Sequence, residues 1–178
     1  TDGTREYLAD KPNVTVLDYD SGGELRDDLH LERKNNDWKS SRGKSEWVIV
    51  CDVDEFIYSP RLIQRLQQIP QDVAMIQTHG MQMVSENFVD SENLLDEEYR
   101  MGFHARRYDK VCLFRPNSVI ETDYSPGCHK CKATYDGTLL KSDIKLLHYS
   151  HLGREVTWDR LMVRKERLSE INIKNKWG

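Results

Sequence analysis

The sequence predicts an α/β fold: a mostly parallel, twisted sheet flanked by helices, with a smaller antiparallel part in the second half. Three observations lead there. Strand-like runs alternate with helix-like stretches along the whole chain, the pattern of layered α/β proteins. Trp47 to Cys51 (WVIVC) are five consecutive apolar residues, as expected of a strand covered on both faces. The second half carries short β-prone runs punctuated by the turn dipeptides Pro116-Asn117 and Asp136-Gly137. No linker, repeat or low-complexity tract divides the chain, so residues 1–178 read as a single domain.

The elements follow in order. Residues 4–10 (TREYLAD) form a helix end that stops before Pro12, because the residue preceding proline avoids the α region. Residues 14–18 are rich in β-branched side chains and read as a short strand. Ser21-Gly22-Gly23 is a loop, and the charged stretch 24–42 reads as helix ending near Gly43. WVIVCDVDEFIY (47–58) is the clearest element, its strand carried by Trp47 to Cys51 and ending at the acidic residues. Ser59-Pro60 then opens a helix, serine as cap and proline at its first position, with Leu62, Ile63, Leu66 and Ile69 on its apolar face. Pro70 closes it and VAMIQT (73–78) completes a strand–helix–strand unit. The acidic run DSENLLDEE reads as an exposed loop or short helix. KVCLFRP and SVIET are strands, KATYDGTLL a hairpin, 144–152 a final strand and 154–170 a helix.

Composition removes whole classes of function. The chain has 26 basic and 30 acidic side chains, a net charge of -4 and 38% apolar residues. That balance excludes a disordered tail, a coiled coil and nucleic-acid binding by net charge. A mean hydropathy of -0.73 and the lack of any apolar run near eighteen residues predict no transmembrane segment. The four cysteines are too few for a disulfide scaffold at this length. Cys51 and Cys112 sit inside apolar runs, where cysteine behaves as a small buried hydrophobe. The start at TDGT, without methionine, suggests a trimmed or partial chain; localisation is then cytoplasmic or peripheral on a membrane face.

The densest chemistry is the run Asp52, Asp54 and Glu55 at the end of the buried strand. Ligands of open α/β sheets sit at such carboxyl ends. Clustered carboxylates repel one another and need a compensating cation, for which oxygen ligands favour magnesium, manganese or calcium over zinc. Such an ion would also neutralise the phosphates of a nucleotide. A second set, Cys128, Cys131, His148 and His151, has the form C-x2-C-x16-H-x2-H, close to a zinc site in ligand count but off its usual spacing. Arg154, Arg160, Arg164, Lys165 and Arg167 stand on the last helix, where they reach a phosphate or form a solvated face. Trp158, Leu161, Met162 and Leu168 give that helix an apolar stripe. Trp38 and Tyr124 stack on a sugar or base, or pack.

CDVDEFI after a hydrophobic strand resembles the D-x-D-E-F signature of glycosyltransferases with the GT-A fold, particularly the family-2-like group. TDGTREYL resembles the end of that family's N-terminal segment, and KVCLFRPNSV, SPGCH and LLHYSHLG resemble its later blocks, from Thr1 to about Leu168. The family's first strand and helix would precede TDGT. The resemblance implies a metal-dependent, inverting hexosyl transfer from a nucleotide-diphosphate sugar, UDP-linked by preference, to a glycan or other acceptor hydroxyl. It implies Mn2+ or Mg2+ on Asp52, Asp54, His148 and His151, and nucleotide-sugar contacts from Asp2, Asp52, Asp54 and Arg154. His129 and Lys110 would meet acceptor or phosphate, and Asp123 or Glu121 would act as base, with Asp159 behind them. Two other classes compete: a zinc-stabilised, non-catalytic binding module built on the Cys/His set, and a metal-dependent phosphohydrolase using Asp52 and Asp54.

Overall fold

A computed structural model of the chain describes residues 3–89 and 93–177. Helix α1 spans Thr4–Ala9, α2 Asp27–Asn36, α3 Leu62–Gln67, α4 Leu95–Glu98, α5 Arg154–Glu166 and α6 Glu170–Asn175. The strands are β1 (Val48–Ile49), β2 (Glu55–Tyr58), β3 (Val73–Ser85), β4 (Gly102–His104), β5 (Val111–Phe114), β6 (Val119–Glu121), β7 (Thr134–Tyr135) and β8 (Thr138–Leu152). Three 3-10 turns lie at Asp37–Ser41, Arg106–Tyr108 and Pro126–Cys128.

The architecture is α/β, with a mixed sheet in the order β1-β5-β3-β8-β2, β4 also pairing with β3, and a separate β6-β7 ribbon. The expected predominance of parallel pairs is not found. Only β3 and β8 run parallel; the other pairs are antiparallel. The two central strands are long, and bulges bend their shared ladder near Gln77 and Gln82. Met75, Ile76, Leu113, Phe114, Ile144 and Leu146 are fully buried around it.

The run 47–58 is not one strand. β1 lies on the edge beside β5, with Ile49 and Cys51 exposed, so coverage on both faces fails there. The chain then turns through residues 50–54, and β2 joins the opposite edge beside β8. Four other elements depart from expectation. Residues 14–18 form no strand. Arg61, in a left-handed conformation, precedes α3 where Ser59 was expected to cap it. The turn at Asp136-Gly137 joins strands of different sheets and is no hairpin. Helix α5 has no buried residue: Trp158, Leu161 and Met162 are exposed, so its stripe is not core.

The two uncommitted aromatics are packing groups. Trp38 is buried edge-on against Phe114, their ring centroids 5.0 Å apart. Tyr124 is buried with its hydroxyl donating to the Val111 carbonyl at 2.7 Å. No helix among the described residues is long and apolar enough to cross a membrane.

Candidate active site

The acidic run forms a tight turn because Glu55 folds back onto it. The Glu55 amide donates to the Asp52 carbonyl at 3.1 Å, and the Asp52 amide donates to the Glu55 carboxylate at 3.1 Å. Glu55 is buried, and Lys110 Nζ reaches its Oε1 at 2.5 Å. Both side chains are almost wholly shielded from solvent, so each is the main neutralising partner of the other. Glu55 is therefore an anchor of the turn. Val53, at the tip, is 96% exposed, while Asp52 and Asp54 point to either side of it, half-buried. The Tyr149 amide donates to the Asp54 carbonyl at 2.8 Å and ties the turn to β8.

Helix α2 supplies the cation at Asp52. His30 and Lys34 stand four residues apart, on one face of the helix. Lys34 Nζ lies 2.5 Å from Asp52 Oδ1 and His30 Nε2 lies 3.7 Å from it. Burial pushes the Asp52 carboxyl up, but Lys34, by charge and hydrogen bond, and then Lys110 more than offset this and hold it below its ordinary range. Helix α2 is held in place by Asn172, whose Oδ1 accepts from the Asp27 amide at 3.1 Å, and by Asn35, which accepts from Thr122 and from the Tyr124 amide.

On the other side of the turn, His148 Nε2 stands 3.8 Å from Asp54 Oδ2. Gln82 sets the tautomer of that ring. Its amide nitrogen donates to the carbonyls of Met83 and His148, so its oxygen faces His148 Nδ1 at 2.8 Å. The proton therefore sits on Nδ1, and Nε2 presents a bare lone pair to the carboxylate. Burial lowers the affinity of this ring for a second proton. A lone pair facing a carboxylate is an arrangement that a shared cation satisfies. Ser150 links the two histidines, at 3.2 Å from His148 Nδ1 and 2.5 Å from His151 Nδ1.

These groups line a cleft of about 740 Å3, within the roughly 300–1,000 Å3 typical of small-molecule sites. The structure thus brings together Asp52, Asp54, His148, His151, His129 and Lys110 of the residues read from the sequence. Arg160, Arg164 and Arg167 from α5 and its C-terminal end complete one wall. Guanidinium groups there match a diphosphate in charge and in geometry. His129 is engaged: its Nδ1 bonds the Arg107 carbonyl at 3.0 Å and its Nε2 accepts from Arg107 Nε at 3.3 Å.

Other candidates lie elsewhere. Asp2 is outside the described residues. Arg154 does not line the cleft; its amide donates to the Glu86 carbonyl. Glu121 stands on the β6-β7 ribbon, paired with Lys39 at 2.6 Å, and Asp123 follows it; neither lines the cleft, and nor does Asp159. The Cys/His set is not assembled. Cys131 donates to the Thr122 carbonyl, and no cysteine joins a three-donor group among the described residues.

Sequence reading missed His30, Lys34 and Tyr108. The first two carry a signal, a histidine and a lysine at i and i+4 on one face of a charged helix, that gains meaning only once its partner is known. Tyr108, whose ring centre lies 4.1 Å from that of His148, carries none. No family model, curated protein or solved structure matches the chain.

Proposed function

We propose that the protein is a metal-dependent glycosyltransferase that moves a sugar from a nucleotide-diphosphate donor, a UDP-sugar by preference, to a glycan or other acceptor hydroxyl. The reading rests on one observation above others: Asp54 and the bare Nε2 of His148 stand 3.8 Å apart in a cleft walled by arginines. Asp54 and His148 would hold Mn2+ or Mg2+, with Asp52 and His151 flanking them. When bound, such an ion stabilises negative charge on a departing diphosphate. Arg160 and Arg164 supply fixed positive charge along the same cleft, whereas the charge of Lys110 is taken up by Glu55, and Lys34 holds Asp52 in place. Glu121 and Asp123, expected as bases, do not line this cleft.

Calorimetric titration of UDP with and without Mn2+ tests this, beside Asp54→Asn and His148→Gln. Binding that needs the metal and falls at least tenfold in both variants is the expected result. Metal-independent binding, or binding unaffected by either change, would sink the proposal. A phosphohydrolase built on the same residues is the second reading, favoured only by the shared acidic turn. It would release phosphate with no acceptor present.

A further inference from the structure

A second donor cluster lies away from the cleft. His79 on β3, His104 on β4 and Asp109 just past the Arg106–Tyr108 turn bring three ligand atoms within 4.8 Å of one another. The two imidazoles stack, ring centres 3.9 Å apart. Asp109 Oδ1 accepts from His104 Nε2 at 2.9 Å and from the Gly80 amide at 2.8 Å. Neither nitrogen of His79 has a hydrogen-bond partner among the described residues. His79 adds a third donor beside the His104–Asp109 pair that this pair does not use, giving an N2O set.

The position is distinct from the acidic turn. Along β3, His79 alternates with Gly80 and Gln82; Gly80 abuts Tyr108, and Gln82 bonds His148. His79 therefore stands on the opposite face of the strand. His104 and Asp109 bracket the short loop that carries Arg107 and Tyr108 to the cleft, with Lys110 next in sequence.

From this juxtaposition we infer that His79, His104 and Asp109 form a zinc site that staples the loop 104–109 to β3. Two imidazoles and one carboxylate match the borderline character of Zn2+, and three protein ligands leave one position for water. With metal–ligand bonds of roughly 2.0–2.1 Å, tetrahedral ligands stand about 3.4 Å apart. Imidazole lone pairs lie in the ring plane, so the near-parallel stack does not itself aim both rings at one ion; the exposed His104 ring turns out of the stack, exchanging its bond to Asp109 for one to the ion.

Zn2+ alone, titrated calorimetrically into the metal-free chain, is the test. The wild type should bind up to two equivalents, one of them in the cleft, and His79→Gln and His104→Gln should each weaken at least tenfold the equivalent that persists in Asp54→Asn. Asp54→Asn should leave it intact, which separates this site from the cleft. Amide hydrogen exchange of residues 105–110 should slow on adding Zn2+ in the wild type and not in His104→Gln, whose exposed position leaves the fold undisturbed by circular dichroism. Absence of binding, binding indifferent to both histidines, or loss in Asp54→Asn with retention in His104→Gln would each overturn the assignment.

Discussion

Replacing Lys110 by methionine removes the cation from one of the most deeply buried ion pairs in the molecule. Glu55 and Lys110 side chains are 1% and 2% exposed, and their charged atoms lie 2.5 Å apart. Asp52, 3.7 Å from Lys110, keeps Lys34 as its partner, so the cost falls on Glu55. Breaking a buried pair by deleting one member costs about 3–5 kcal/mol, because the remaining charge stays desolvated. A domain of this size loses about 2–4 °C of Tm per kcal/mol, which makes the expected drop on the order of 10 °C. Urea denaturation followed by tryptophan fluorescence measures the free-energy loss, and thermal unfolding the shift in Tm. The double variant Lys110→Met/Glu55→Gln should recover more than half of the loss, since it takes the orphaned charge away. A single-variant loss below about 1 kcal/mol would refute the reasoning, and so would a double variant no more stable than the single.

Three further outcomes are expected. Lys34→Met should raise Mn2+ affinity about tenfold, equivalent to roughly 1.4 kcal/mol, by removing the ammonium that competes at Asp52; calorimetry reads it directly. Gly80→Ala should cost about 1–3 kcal/mol or more in urea denaturation, because the new methyl would meet the Tyr108 backbone carbonyl carbon at 2.2 Å and drive the loop off β3. His129 should titrate below its ordinary value in an NMR pH series, owing first to burial and then to Lys110 and Arg107. A ring that resists protonation when folded makes stability fall as pH drops below about 6.5, where the unfolded chain takes up the proton. His129→Gln should flatten that slope; a steeper one would contradict the assignment.

Much of the fold was legible because period and punctuation carry it. Residues 24–42 read as helix, and α2 with its 3-10 extension lies there; KVCLF and SVIET became β5 and β6. The misreadings share a cause. Strand partners are non-local, so the apolar run Trp47–Cys51 announces a strand but not that it occupies an edge. Likewise Asp136-Gly137 announces a turn but not that its arms belong to different sheets. The site divides in the same way. Asp52, Asp54 and the histidines of β8 stood out by density and spacing. Lys34 and Gln82 did not, because what each does depends on a residue 18 and 66 positions away. Glu121 and Asp123 lie away from the cleft, one on and one just after a strand of the separate ribbon, because sheet membership is not written in sequence position.

The path of the chain around Asp52–Glu55 couples chemistry to folding. The strand before it closes one margin of the sheet and the strand after it closes the other, so both margins are sewn by the same few residues. Surface loops ordinarily open at little cost, independently of the core beneath them. Here, releasing the loop means unfastening two separate seams, through Val50 to Cys112 on one side and Asp54 to Tyr149 on the other. The carboxylates thereby stand on a segment whose rigidity is that of the whole sheet. Loosening either margin therefore also loosens the segment that carries Asp52 and Asp54.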